Sequence, residues 1–336
     1  MEKYRLHLLI LVKIIYVCVC FEKLFTLRGS KVSVLILKKM LNVTSRPDCA
    51  FDVNKKLFLK YLVENGGPEP HEYEEFNFIV KTLDAENLHE FREVINPILN
   101  VNTLIGRSYV KPFGYPGDFY LIDHIYSKHV NGDKKYRKWD MYYQNQEGTM
   151  AVRNRKDYFI NQCMNLANKK SGEKRVLILG SGPATDVNEF LNMYTENNIS
   201  FDLVDYDQNA IDYSSAKNKK FEKLISYNKV NVLRFEPSRR YDLIWSAGLF
   251  DYFREKHFVY LLRKYINYVA DGGELIIGNF STENPSQILM EVVSEWYLNY
   301  RSREDLLNLA GDAGLLNRNV FVDAEALGVN LFLNIQ

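Results

Sequence analysis

Residues 176–186 read Val-Leu-Ile-Leu-Gly-Ser-Gly-Pro-Ala-Thr-Asp, and this stretch limits the fold more than any other in the chain. The apolar run Val176 to Leu179 predicts a parallel strand buried on both faces. Gly180-Ser181-Gly182 then breaks the strand, and Pro183 suits the first position of a helix. Gly180 permits a tight turn, and Gly182 lets the backbone come close to a ligand. Such strand–turn–helix units are common in α/β proteins, so the meaning depends on the strand that comes next. That segment, Phe201-Asp202-Leu203-Val204, ends at Asp205, 25 positions after Gly180. The interval is close to the roughly 20-residue separation at which a carboxylate meets a pair of ribose hydroxyls. The pattern predicts a site for an adenosine-containing ligand.

From Arg175 onward strands and helices alternate. Strands are expected at 175–179, 200–204, 228–233, 241–245 and 273–278, with helices at 183–197, 208–222 and 254–270. This grammar predicts a parallel, doubly wound sheet with helices on both faces. The end of the chain differs. Residues 319–325 and 329–335 read as strands joined too closely for a helical crossover, so they should pair antiparallel. The expected fold is therefore α/β: a doubly wound, Rossmann-like seven-stranded sheet ending in an antiparallel hairpin, with a helical N-terminal region.

That N-terminal region divides at about residue 50. Asp52 suits the N-cap of a helix running to about Glu64, ended by Gly66-Gly67-Pro68. Residues 72–99 carry apolar side chains at helical spacing in two helices, and helical patterns resume from Phe119 to about Lys170. Between them lies Lys111-Pro-Phe-Gly-Tyr-Pro-Gly-Asp118, whose glycines and prolines fix an unusual backbone path; a lid over the cleft is expected, with Asp118 capping the next helix. Residues 1–50 stand as an apolar segment, 51–150 as a helical substrate or lid region, and 151–336 as the sheet domain. Leu6 to Phe21 is apolar, but Lys13 interrupts it, and it is shorter than the roughly 20 residues of a spanning helix. No small-residue cleavage site follows it. With Val32 to Leu37, this segment is expected to be a buried helix and strand. Membrane contact through residues 6–37 and an upstream extension that does not pack are the less favoured readings.

Charge narrows the partners. The chain has 43 Lys and Arg against 42 Asp and Glu, a net charge of +1. Nucleic-acid domains carry a basic surplus, so a phosphate backbone is not the expected partner. The four cysteines, Cys18, Cys20, Cys49 and Cys163, lack metal-site spacing and are too few for a disulfide framework. No metal is expected, and a reducing cytoplasm is the natural compartment.

Residues 175–336 resemble class I S-adenosylmethionine (SAM) methyltransferases, with each segment in order. Val176 to Asp186 is similar to their glycine-rich first motif, with Ala184 where many members have a third glycine. Asp205 matches the acid that holds the ribose hydroxyls. Asn231-Val232 falls where the third strand supplies adenine contacts. Tyr241 to Leu249 matches the fourth strand and its loop, and Asp271 to Ile277 the next turn and strand. A narrower resemblance covers about 110–336, through Lys111 to Asp118, Ala151-Val-Arg-Asn-Arg155, Ser246-Ala-Gly-Leu-Phe-Asp-Tyr252, Gly278-Asn-Phe280 and Trp296-Tyr-Leu-Asn-Tyr-Arg301. These segments resemble a bacterial group that makes the methyl ester of 3-hydroxypalmitic acid, a diffusible quorum-sensing signal.

The resemblance implies SAM as cofactor and a small or lipid-like acceptor, with carboxyl O-methylation of a 3-hydroxy fatty acid as its most specific form. Gly180, Ser181, Gly182, Pro183, Asp205, Tyr206, Asn231, Val232, Ser246, Ala247 and Gly248 are then the candidate donor-binding residues. A carboxylate is already ionised near neutral pH, so forming its ester needs orientation by a cation or hydrogen-bond donors rather than a general base. Arg301, Tyr115 and Tyr252 are the principal candidates, with Arg153, Arg155 and Lys111 behind them. Ser246-Ala247-Gly248-Leu249 has neither the prolines nor the amide of the loop that holds exocyclic base amines, which disfavours an adenine-amine methyltransferase. The alternatives are methylation of an amine or hydroxyl on another small metabolite, or SAM binding without turnover. An NAD-dependent oxidoreductase is disfavoured by the terminal hairpin.

Overall fold

The computed structural model describes residues 51–169 and 172–336; the expectations for residues 1–50, Cys18, Cys20 and Cys49 among them, lie outside the described residues. Helices come first: α1 (Val53–Glu64), α2 (Tyr73–Lys81), α3 (Ala85–Ile95), α4 (Leu104–Val110), α5 (Phe119–Tyr126), α6 (Lys134–Gln144) and α7 (Glu147–Ala167). Their starts follow from local chemistry. Asp52, Asp84, Thr103, Asp118 and Asp133 each accept a backbone N–H of the first turn, which satisfies donors a helix leaves unpaired. Phe76, Trp139 and Tyr142 pack edge-to-face at the centre, with Phe76 5.4 Å from Trp139 and 5.1 Å from Tyr142.

The sheet runs through β1 (Lys174–Leu179), β2 (Ile199–Asp205), β3 (Ile225–Lys229), β4 (Tyr241–Ser246), β5 (Val269–Phe280), β6 (Val320–Ala324) and β7 (Asn330–Ile335). Its spatial order is β3-β2-β1-β4-β5-β7-β6. The first five strands are parallel, and β7 enters antiparallel between β5 and β6. The expected doubly wound, seven-stranded sheet with its closing hairpin is thus present. Helices α8 (Thr185–Met193) and α9 (Gln208–Lys217) follow β1 and β2, α10 (Glu255–Tyr265) follows β4, and α11 (Gln287–Ser294) and α12 (Arg303–Asp312) follow β5.

Three apolar cores result. One lies within the helical region and takes in Phe280 from the end of β5 and Val329 just before β7; the other two cover the opposite sheet faces. Helix α7 joins them. Ala151 and Val152 near its start belong to the helical core, whereas Phe159, Ile160 and Cys163 pack on the sheet. The expected boundary at residues 150/151 therefore falls inside one continuous helix. Among the described residues no helix is long and apolar enough to cross a membrane.

Several expected boundaries move. The third strand, expected at 228–233, occupies Ile225–Lys229, leaving Asn231 and Val232 in the loop beyond it. The turn expected at Asp271-Gly272-Gly273 lies inside β5, where Gly272 has φ +74° and the register against β4 shifts. Pro183 is not the first helical residue. Ala184 has φ +46°, so the chain makes one more turn and α8 begins at Thr185. A left-handed φ strains any residue with a Cβ, which is a physical reason for glycine at this position in related motifs.

Candidate functional site

A cleft of about 380 Å³ opens where β1, β2 and β4 end, and Tyr115 and Gly117 of the loop before α5 line it as well. This is the edge of an open α/β sheet at which ligands bind, outside the carboxyl ends of the strands. Of the expected donor residues, Gly180, Ser181, Gly182, Pro183, Asp205, Tyr206, Asn231, Val232, Ala247 and Gly248 all line it. Ser246 does not. Its side chain is fully buried, and its hydroxyl donates to the Leu179 carbonyl at 2.9 Å, tying β4 to β1.

The glycine turn and the acid are coupled directly. Gly180 has φ +70° and Gly182 φ +52°, and a side chain on Gly182 would meet open space. The Gly182 N–H donates to Asp205 Oδ2 at 2.8 Å, and the Asp207 N–H to Asp205 Oδ1 at 3.0 Å. Burial raises the Asp205 pKa despite these bonds. Asp207 caps α9. The Asn231 carboxamide oxygen accepts the Leu233 N–H at 2.9 Å, so it shapes the loop, and the amide NH2 remains free for a ligand. Val232 is buried, and Tyr206 is exposed at the rim, at 73%.

The loop before α5 is held by two side-chain hydrogen bonds. Tyr115 donates to Asp207 Oδ2 at 2.9 Å; burial and then the neighbouring carboxylates push its phenol well above the ordinary range. Tyr252 donates to the Pro116 carbonyl at 2.9 Å and accepts the Trp296 indole N–H at 2.9 Å. Trp296 packs against Gly117 so closely that a Cβ there would collide with its ring. Both expected tyrosines thus face the cleft, with their hydroxyls engaged by the protein.

Arg301 differs from expectation. It is 5% exposed and does not line the cleft. One guanidinium nitrogen donates to Asn279 Oδ1 at 2.6 Å and to the Phe250 and Asn299 carbonyls, and the other to the Phe253 carbonyl at 2.5 Å. The group also sits over the Phe258 ring, 4.7 Å from its centroid. With its donors pointed at carbonyls, Arg301 is a cross-brace beneath the site. Arg153 is similarly occupied by Gln144, and Lys111 by Glu295.

Arg155 is the cation that reaches the cleft, and among the described residues no other Lys or Arg lines it. It is 6% exposed, and its Nε is buried without a hydrogen-bond partner. Gly248 makes room for it, since a Cβ there would lie 2.7 Å from Arg155 Nη1. Two carboxyl groups missed by sequence reasoning join it, Asp186 and Asp251. Burial pushes Asp186 up to about 6 and Asp251 up to about 7, in each case against the charge of Arg155. Ser181 Oγ and Trp245 Nε1 are further buried polar atoms without partners, on residues that line the same cleft. Both aspartates stand inside segments that the motifs single out; their burial, which gives them meaning, is a tertiary property.

No protein-family model and no curated protein matches this chain. Solved structures do. A possible exported protein from Bordetella parapertussis aligns over 85% of this chain and 99% of its own at 12% identity, with a TM-score of 0.59. Magnesium protoporphyrin IX methyltransferase (ChlM) from Synechocystis PCC 6803, solved with bound S-adenosylhomocysteine (SAH), aligns over 69% of this chain and 97% of its own at 11% identity, TM-score 0.48. The N-methyltransferase NodS from Bradyrhizobium japonicum WM9 aligns over 53% and 94% at 14% identity, TM-score 0.38. At these identities the likeness is one of fold, and the Bordetella protein carries it across both the helical region and the sheet.

Proposed function

We propose that this chain is a SAM-dependent methyltransferase acting on a small or lipid-like acceptor. The observation that carries the reading is a single cleft in which the Gly180–Gly182 turn and Asp205 share walls with Arg155, whose Nε has no partner. SAM is an adenosine joined to an α-amino acid, and the lining offers groups for both ends. Asp205 suits the ribose hydroxyls, and Val232 with the free Asn231 amide the adenine. Arg155 suits the amino-acid carboxylate, and Asp186 its ammonium. When bound, SAM supplies an electrophilic methyl group on a sulfonium. The protein's part is alignment and exclusion of water, for which the Tyr115–Gly117 loop serves as a roof.

The most specific form of the proposal is carboxyl O-methylation of a 3-hydroxy fatty acid, giving a diffusible signalling ester. It rests on the motif resemblance and on the absence of any need for a base. Amines and hydroxyls are the alternative acceptors. A reducing cytoplasm, with Cys163 as a buried free thiol, is the compartment this reading assigns. The test is calorimetric titration with SAM, followed by a panel of 3-hydroxy fatty acids with mass-spectrometric detection of methyl esters. Binding with ester release is the expected result. Binding without ester from any acid discards the lipid acceptor, and absence of SAM binding discards the methyltransferase.

A further inference from the structure

Asp251 lies in the turn after β4, beside Tyr252 in sequence and within reach of the Arg155 charge. It lines the cleft while being 1% exposed. Its Oδ1 accepts the Phe280 N–H at 2.7 Å, which fixes the carboxyl at the end of β5. Its Oδ2 accepts no hydrogen bond from the described residues. We propose that Asp251 is a neutral carboxyl group whose O–H donates to the carboxylate of the acceptor and so positions it. This inference rests on the carboxyl reading above and adds to it the residue that holds the acceptor.

The charges around Asp251 decide the matter. Arg155 faces it from α7, Arg301 from the segment after α11, and the Tyr252 and Tyr300 phenols from its own turn and that same segment. Arg301 is already engaged by carbonyls. Arg155 is the remaining cation, and pairing with the amino-acid carboxylate of SAM removes most of its hold on Asp251. Burial already pushes this carboxyl up to about 7 against both arginines. An ordinary carboxylic acid ionises near pH 4, so a proton shared between acceptor and Asp251 stays on Asp251. Two ionised carboxylates side by side in this buried setting would repel strongly.

Neutral Asp251 also leaves one competent nucleophile. An oxygen of the acceptor carboxylate forms the new bond to the methyl carbon as the carbon–sulfur bond breaks, with its electron pair going to sulfur. No proton is transferred in this step. Asp251, being protonated, is not itself esterified.

The experiment is calorimetric titration of 3-hydroxy fatty acids into the full chain held with SAH, from pH 6 to pH 9. Wild-type affinity should fall at least about tenfold as Asp251 loses its proton. In Asp251→Asn, whose amide donates at every pH, the change should be less than about twofold, making the variant the tighter binder at pH 9. Difference infrared spectra of the wild type at pH 6 should show a carboxylic-acid C=O stretch that the variant lacks. A pH-independent wild-type affinity overturns the proposal. So does an Asp251→Asn protein that binds SAH but no acid. If the wild type binds SAH and no acid at any pH, the carboxyl reading falls and takes this one with it; loss of amine or alcohol methylation in Asp251→Asn would then make Asp251 a proton acceptor instead.

Discussion

Asp205 serves two structures at once. Both of its oxygens already accept backbone N–H groups, from Gly182 and Asp207, and each retains a lone pair directed elsewhere. Removing the carboxylate therefore loosens the glycine turn and deletes an acceptor for the ribose. Asp205→Ala should weaken SAH binding by about 1–3 kcal/mol, read by calorimetry; an unchanged affinity would place the ribose elsewhere. Arg301 supports the opposite expectation. Its truncation leaves Asn279 Oδ1 and the Phe253 carbonyl without their donor, so Arg301→Ala should lower unfolding free energy by about 2–4 kcal/mol in denaturant titration. Turnover loss without destabilisation would return Arg301 to the acceptor. The difference between these two residues marks what sequence can reveal. Asp205 is legible because a glycine turn and an acid at fixed spacing encode backbone geometry. An arginine bracing carbonyls and one awaiting a ligand look alike until Asn279, Asn299 and Phe253 are seen around one and a buried, partnerless Nε on the other.

At the scale of elements, the loop from Lys111 to Asp118 is held in a form few sequences could adopt. Lys111, Gly114 and Gly117 have φ of +53°, +86° and +67°, and Asp118 then starts α5 by accepting the Tyr120 and Leu121 N–H groups. Two side-chain bonds fasten its tip: Tyr115 to Asp207, and Tyr252 to the Pro116 carbonyl. If this loop is the roof over a bound donor, Tyr252→Phe should free it on one side and strand the Trp296 indole N–H. One lost hydrogen bond is worth about 1 kcal/mol, so SAH should dissociate roughly fivefold faster, with faster amide exchange at residues 114–117. Unchanged release would make the loop a fixed wall. The glycines and prolines announce this loop, and the caps at Asp52 and Asp118 announce their helices, because those features are local. The third strand lies off its expected position for a non-local reason. Its register is set by pairing with β2 from Phe201↔Ile225 to Asp205↔Lys229, which no window of sequence contains.

Across the whole molecule, the helical region is pinned to the sheet domain through a buried carboxylate. Asp123 on α5 accepts from Thr185 Oγ1 at the start of α8, from the Tyr213 hydroxyl and from Lys217 on α9. Burial works against its ionisation, but these three donors outweigh it, and its pKa is lowered. The next residue, His124, has the opposite chemistry. It stacks on His129 with ring centroids 4.1 Å apart, and burial followed by the charge of His129 lowers its pKa to about 4. A histidine depressed in the folded state favours folding fully above its unfolded pKa of 6.5, and that contribution is lost as pH falls toward 4. Asp123, also depressed, is lost only below about 3.8. Asp186 and Asp251, raised to about 6 and 7, act the other way and gain stability as pH falls across the same range. The net profile hides the histidine, but a variant isolates it. His124→Phe keeps a stacking ring and removes the titration. Its unfolding free energy relative to wild type should rise by about 1–2 kcal/mol between roughly pH 7.5 and pH 4.5, a value reduced for the partial exposure of the site. Urea titrations at the two pH values read this directly. A constant difference would mean that His124 does not control the acid stability of the seam between helices and sheet.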